Sequence, residues 1–289
     1  MIAYFINPKV AFAIGHVKVL ILMGLILRGS RITRKDPKGD GMPKEKNGIG
    51  DLFHQVTKYQ RAFSTEEEPR LSHPSSSDKE ASLKLRRFPL APVDSTDGKP
   101  IWKTIAERRS LREFARSSLS FEELSQLIWA IQGISARSFG FALRTAPSAG
   151  ALYPIETYIL VNWVEPLPSG LYHYSVNETE LILLKEGRFG PALSRAALEQ
   201  EWLERACCVF IWTAVIERSK RKYRERAFRY IYMDAGHIGQ NLYLAATALG
   251  LGCCTVGAFY DEEIDRLVGV DGVKEVSIYL GAVGKIGSY

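Results

Sequence analysis

From Arg224 to Leu249 the apolar residues Phe228, Ile231, Ala235, Ile238, Leu242, Ala245 and Leu249 recur in alternating steps of three and four. That period lines them along one side of a helix. Tyr232, Tyr243 and Ala246 widen the seam, and Gly250 and Gly252 predict its end. At about 1.5 Å per residue the element runs roughly 40 Å, enough to cross a whole domain. Such a seam can face its own core, a partner subunit, or both, and a core helix is the plainer reading. Lys220, Arg221, Lys222, Arg224 and Arg226 crowd its expected first turns. There the helix dipole disfavours a cation by about 0.3–1 kcal/mol. The cluster is either a solvated face or the neighbour of an anion or a developing negative charge.

With 289 residues and 46% hydrophobic composition, the chain can bury a large core. The net charge of +6 is unevenly placed. Residues 1–50 hold nine Lys/Arg against three Asp/Glu, and the remaining residues hold 29 of each. The basic excess belongs to the leading segment, which argues against a nucleic-acid surface on the body. Two adjacent cysteine pairs, Cys207–Cys208 and Cys253–Cys254, lack zinc-ligand spacing and stand among apolar residues. They read as small core residues of a reduced, cytoplasmic protein. Five scattered histidines complete no ligand set, so no metal is expected.

Residues 1–49 form a basic extension whose composition predicts disorder. Its longest clean apolar run, Val19 to Leu27, is too short for a bilayer span, which needs about 20 residues. It follows a lysine, as a signal peptide would, but no small-residue cleavage site stands after it. Translation starting at Met23 or Met42 would remove part of this extension. Residues 50–84 read as a short helix, GDLFHQVTKYQRAF, and an acidic, Ser/Pro-containing linker. The compact domain spans 85–289. Ser120 and Glu123 form a capping box for a helix ending at Gly133. Helices are also expected over Ile101–Arg109 and Glu262–Val268. Strands are expected over Ile155–Trp163, Gly170–Tyr174, Glu180–Leu184, Cys208–Ile216, Cys253–Phe259 and Val276–Val283. Interleaved strands and helices predict an α+β fold, a mixed sheet flanked by helices.

Arg108-Arg109-Ser110-Leu111-Arg112 gathers three guanidiniums and a hydroxyl at a helix end, donors suited to phosphate and carbonyl oxygens. Pro147-Ser148-Ala149-Gly150 is a small-residue turn that a flat ligand can approach closely. Gly257 and Ala258 offer backbone N–H groups just past a strand, and Lys285 follows the last one. Each feature alone has a bland reading as a solvated or packing residue. Asp234 and His237, three apart on one helix face, form either a dyad or structural hydrogen bonds, and the second is the plainer reading. Ser148 lacks a nucleophile elbow, and no P-loop or dinucleotide fingerprint is present.

In order along the chain stand FHQVTKY, RRSLREF, SLSFEELSQLIWAIQGI, RTAPSAGALYPIETYILV, GLYHY, YRERAFRYIYMDAGHIGQNLYLAATALGLG, VGAFYDEEI and GAVGK. This series resembles the nitroreductase superfamily, in its SagB-type, azoline-oxidase-like branch. The resemblance implies an FMN-binding α+β sandwich acting as a homodimer, with flavin at the subunit interface and the long helix as core and dimer seam. Arg108, Ser110 and Arg112, with Arg109 alongside, would grip the ribityl phosphate and the ring's polar edge. Pro147, Ser148, Ala149 and Gly150 would line the ring, Gly257 and Ala258 would present backbone to it, and Lys285 would return to the phosphate. Cations suit the negative charge of reduced flavin.

The resemblance also implies a Lys-Tyr pair that assists proton removal, and Lys222 and Tyr223 stand at the matching place. Lys222 would be the general base, its neutral form favoured by Arg221, Arg224 and partial burial. Tyr223 would orient substrate or relay the proton; the bland alternative is a solvated lysine beside a packing tyrosine. Ala227 stands where the family often has glycine, and residues 1–49 have no counterpart in it. The expected activity is hydride transfer between flavin and an organic substrate, either a small molecule or an azoline-bearing peptide. The alternatives are an NAD(P)H-dependent nitro- or quinone-reductase, with the nucleotide a transient donor, and a non-catalytic scaffold in a peptide-modifying complex.

Overall fold

The computed structural model describes residues 48–59, 85–94, 96, 98–138 and 141–287. The expectations for the basic extension and for the linker therefore lie outside the described residues. In chain order the helices are α1 (Ile49–Thr57), α2 (Ile101–Glu107), α3 (Phe121–Gln132), α4 (Gly190–Ala196), α5 (Ile216–Tyr223), α6 (Ala227–Ala248) and α7 (Asp261–Val268). The strands are β1 (Arg87–Pro89), β2 (Leu119–Ser120), β3 (Ile134–Ser138), β4 (Phe141–Arg144), β5 (Ile155–Val161) and β6 (Val164–Glu165). They continue with β7 (Gly170–Ser175), β8 (Glu180–Glu186), β9 (Cys208–Val215), β10 (Leu251–Val256) and β11 (Glu275–Lys285).

Seven strands form one sheet in the order β1-β8-β7-β5-β9-β11-β10, every pairing antiparallel. Parallel pairing occurs between β2 and β6. The α+β sandwich is as expected, and its centre is β9. Cys208, Phe210, Trp212 and Ala214 of that strand enter one core with α3 and α6. Val209 and Ile211 enter a second core with α4 and α7 on the opposite face. A strand covered on both sides has no solvent face to mark with polar residues, which accounts for a run that is apolar except for Thr213, whose hydroxyl donates to Glu275.

The seam on α6 faces this chain's own core: Phe228, Ile231, Ala235, Ile238, Leu242 and Ala246 are all buried. Burying each large side chain contributes about 1.5–3 kcal/mol relative to exposure. The expected single helix from Arg224 to Leu249 is in fact interrupted. Arg224 adopts φ 49°, ψ −135°, a short 3-10 turn spans Arg224–Arg226, and α6 begins at Ala227. The strand ending in Val215 turns directly into α5, which the apolar period had hidden. Lys220, Arg221 and Lys222 consequently occupy the last turn of α5, where the helix dipole favours cations. At the other end Gly250, with φ 71°, closes α6 before β10.

Helix α1 is tied to this body. Gly50 N donates to Glu225 Oε2 at 2.8 Å, and Lys220 Nζ pairs with Asp51 at 2.6 Å. The capping box on α3 is formed as expected: Glu123 N donates to Ser120 Oγ at 3.1 Å and Ser120 N to Glu123 Oε2 at 2.9 Å.

Candidate active site

Two groups of expected site residues form, both resting on α6. In the first, α2 stops at Glu107 and residues 108–113 run irregularly beside the sheet edge. Leu111 N donates to Cys253 O at 2.9 Å, and Ala115 N to Lys285 O at 2.9 Å. Ser110 Oγ lies 2.9 Å from the Tyr243 hydroxyl. That hydroxyl also accepts from Thr255 N at 3.0 Å, two residues before Gly257. The Arg108 guanidinium stands 5.1 Å from the Tyr243 ring centroid. Tyr243 thus joins Arg108 and Ser110 to the end of β10, a role its place in the apolar seam did not reveal. A phenol in a seam must find a partner for its O–H, and that was the available signal.

Within this group not every expected donor is free for a ligand. Arg109 turns back on the end of α2, donating to Ala106 O at 3.0 Å and Arg108 O at 2.8 Å. Lys285 Nζ is held by Glu123 Oε1 at 2.5 Å. Arg112 is exposed and lies 5.9 Å from the Trp202 ring centroid. Arg108 and Arg112 have no carboxylate partner among the described residues. A Cβ built on Gly257 would meet only Tyr279 Cε2, at 3.9 Å, so its backbone is open to close approach. Unpaired guanidiniums, an exposed hydroxyl and an open backbone suit an anionic, flat group.

The second group lies about 14 Å away along the α6 axis, at Asp234. Ser148 Oγ donates to Asp234 Oδ2 at 2.5 Å and Ala149 N to Asp234 Oδ1 at 3.2 Å. Burial pushes the Asp234 carboxyl above its ordinary range, while these two donors draw it back. The plainer reading of Asp234, a structural hydrogen bond, is the observed one; His237 is exposed. The turn that Asp234 holds is tightly wound. Gly150, Ala151 and Tyr153 all have positive φ, at 65°, 54° and 45°, and left-handed backbone at a non-glycine residue costs about 1–2 kcal/mol.

Lys222 and Tyr223 come down from the end of α5 onto this same turn. A Cβ built on Gly150 would stand 2.6 Å from the Tyr223 hydroxyl oxygen and 2.7 Å from Lys222 Nζ. Glycine leaves the gap that both polar tips enter. The Tyr223 ring stacks obliquely on Tyr230 at 4.6 Å, and Lys222 Nζ lies 5.3 Å from the Tyr223 centroid. Lys222 itself is exposed, so this chain alone does not supply the partial burial expected for it.

Within one chain, then, Arg108 and Ser110 gather through Tyr243 near the end of β10 that leads to Gly257, whereas Lys285 pairs with Leu251 at the other end of that strand. Pro147–Gly150 gather with Lys222 and Tyr223 near the start of α6. Among the described residues no three His, Cys, Asp or Glu could hold a metal ion. No described helix is long and apolar enough to cross a membrane.

Residues 105–285 match the model of the Nitroreductase family. A Methanocaldococcus jannaschii chain, MJ1384, that carries the name nitroreductase is 40% identical over 181 residues, 63% of this chain and 88% of that one. The trifolitoxin-processing protein TfxB of Rhizobium leguminosarum bv. trifolii is 34% identical over 122 residues, 37% of this chain but only 30% of TfxB. In fold, a chain of the E. coli microcin synthetase McbBCD complex, solved with truncated pro-MccB17 bound, matches with TM-score 0.54 and 18% identity. The match covers 98% of this chain and 96% of that one. The matched residues carry both groups described above, and on this footing the chain belongs to the nitroreductase family, with a flavin-type oxidoreductase fold.

Proposed function

We propose that the chain is an FMN-dependent oxidoreductase of the SagB type that oxidises an azoline ring in a peptide to an azole. The observation that carries the reading is the meeting of Lys222 Nζ and the Tyr223 hydroxyl at Gly150. A base candidate and a proton-relaying phenol there border a turn of small residues that can line a flat ring. TfxB is a toxin-processing protein, and the microcin complex holds a peptide, which favours a peptide substrate over a small molecule.

Arg108, Ser110 and Arg112 would hold the phosphate and polar edge of FMN, with Lys285 released from Glu123 to join them. The Gly257 and Ala258 backbone and the Pro147–Gly150 turn would border the ring. Bound FMN supplies a hydride acceptor. Lys222 would take the proton from the substrate carbon, and Tyr223 would orient the ring and pass that proton outward. Because the two groups lie apart on α6, a cleft holding both is best made by two antiparallel copies. Exposed apolar residues on α1 (Ile49, Phe53) and α2 (Trp102, Ile105) suit the faces of such a homodimer. Reduction of nitro compounds or quinones with NAD(P)H is the second reading, favoured by the archaeal relative.

The test is aerobic incubation of the purified yellow protein with an azoline-bearing peptide and, separately, with NADPH and a nitroaromatic. Loss of two hydrogens from the peptide, read by mass, supports the first reading. NADPH consumption without peptide oxidation transfers the assignment to the second. A colourless protein that takes up no FMN supports neither, leaving a scaffold in a peptide-modifying complex.

A further inference from the structure

Beside the Gly150 turn lies a cavity of about 400 Å³ lined by Arg144, Leu152, Tyr153, Glu156, Tyr174 and Arg218 among others. That size falls in the usual range for small-ligand sites. Its charges are unevenly matched. Glu156 is engaged by Arg218 and by His173 Nε2, the latter at 3.0 Å. These partners hold its carboxyl down at about 2 against the effect of burial. Arg144 makes no close ion pair among the described residues, and Glu156, already held by Arg218 and His173, acts on it only at longer range. One of its guanidinium nitrogens donates to the neutral Gln132 Oε1 at 2.5 Å, and its Cζ lies 4.5 Å from the Tyr153 ring centroid. A guanidinium carries five N–H donors, and the half-buried Arg144 leaves most of them uncommitted. Burial is the foremost influence pulling its pKa down, and the Glu156 carboxylate acts in the opposite direction without forming a close ion pair.

The cavity is physically joined to the proposed catalytic pair. Arg218 Nη1 donates to Tyr153 O at 3.2 Å, fixing α5 to the turn that begins at Ser148. Arg218 also precedes Lys222 by one helical turn, about 5.4 Å along the same face of α5. An extended peptide covers that distance in roughly two residues.

We infer that this cavity is a carboxylate-binding subsite, with Arg144 as its principal donor, for a substrate bearing a carboxylate within about two residues of the ring presented to Lys222 and Tyr223. The assignment rests on the reading of Lys222 and Tyr223 as the catalytic pair. A chain-terminal carboxylate and an Asp or Glu side chain share the chemistry.

Binding to the purified full-length protein, read by calorimetry without turnover, tests it. The probes are N-acetylglycine (terminal carboxylate), N-acetylaspartic acid α-amide (side-chain carboxylate) and N-acetylglycinamide (none). At least one carboxylate probe is expected to bind in the millimolar range, the neutral amide not at all, and the tighter carboxylate identifies the source. Arg144→Gln weakens that binding about tenfold or more, and Arg144→Lys, which keeps the charge but loses the fork, falls between. Unchanged thermal melting of both variants separates lost binding from lost fold. The inference is overturned if neither carboxylate binds up to about 10 mM, if the neutral amide binds equally well, or if Arg144→Gln binds as tightly as the parent. A protein inert toward azoline peptides that still binds through Arg144 would sink the proposed function and leave the subsite standing. An active enzyme whose peptide binding ignores Arg144 would do the reverse.

Discussion

Ser148 and Asp234, 86 residues apart, meet at 2.5 Å, and the same carboxylate receives the Ala149 N–H at 3.2 Å. One side chain on the long helix therefore holds the turn that borders Lys222 and Tyr223. Asp234→Ala removes both acceptors and should cost about 1–3 kcal/mol, which lowers Tm by roughly 2–4 °C per kcal/mol in a domain this size. Turnover should fall further than stability does. Asp234→Asn keeps an acceptor for Ala149 N but faces Ser148 with a donor, so it should land midway. Thermal melts beside peptide-oxidation rates would detect it; equal rates in all three proteins would contradict the role given to Asp234.

Gly150 has both a left-handed backbone and no room for a side chain, since a Cβ would lie 2.6 Å from the Tyr223 hydroxyl and 2.7 Å from Lys222 Nζ. Gly150→Ala should cost about 1–2 kcal/mol from backbone conformation alone. It should also push the two polar tips away from the turn, reducing turnover tenfold or more, since small misplacements at a reacting centre are costly. Rates at matched folded fraction provide the check.

Tyr243 links Ser110 to Thr255, at 2.9 Å and 3.0 Å. Tyr243→Phe keeps the ring beneath Arg108 and deletes these two hydrogen bonds and the longer one from Thr255 Oγ1 at 3.3 Å. We expect a folded protein whose FMN affinity drops by about tenfold, the effect of one to two hydrogen bonds. Flavin retained through gel filtration measures this, and full retention would argue against the bridge.

Asp265 gives a pH signature. It is buried, its Oδ1 accepts from Ser277 N at 2.7 Å, and burial pushes its pKa from 3.8 up to about 6. The folded state binds this proton more tightly than the unfolded chain. Its stabilising contribution is complete below about pH 4 and is lost as pH rises through about 6, a change of roughly 3 kcal/mol. His54, which burial holds at about 4, acts with the opposite sign, so the observable is a difference. The stability of Asp265→Asn relative to the parent should rise between pH 4 and pH 7 in urea titrations. A constant difference would show that Asp265 does not titrate there.

Much of the fold was legible from local chemistry. The Ser120–Glu123 capping box, the apolar run of β9 and the three-four period of α6 each declare themselves within a dozen residues. What escaped lay where local signals conflict or are missing. Ile216 continues the apolar strand run, yet the backbone has already turned into α5, and the break at Arg224 uses a left-handed conformation without a glycine to announce it. The hairpin of β3 and β4 carries no apolar alternation strong enough to separate it from the loop before Pro147. The candidate site was legible as motifs but not as geometry. The Ser148–Asp234 and Ser110–Tyr243 pairs span 86 and 133 residues, and only the folded chain brings them together. Arg109 and Lys285 show the converse: residues of the right chemistry are already engaged by Ala106 O and Glu123.

The most direct test of the account is anaerobic mixing of the FMN-loaded protein with an azoline peptide, following the flavin absorbance in the parent and in Lys222→Ala. The account predicts rapid bleaching in the parent and, in the variant, a retained yellow flavin bleached at least about a hundredfold more slowly, the scale of a lost general base. Bleaching at the parent's rate in Lys222→Ala would contradict it.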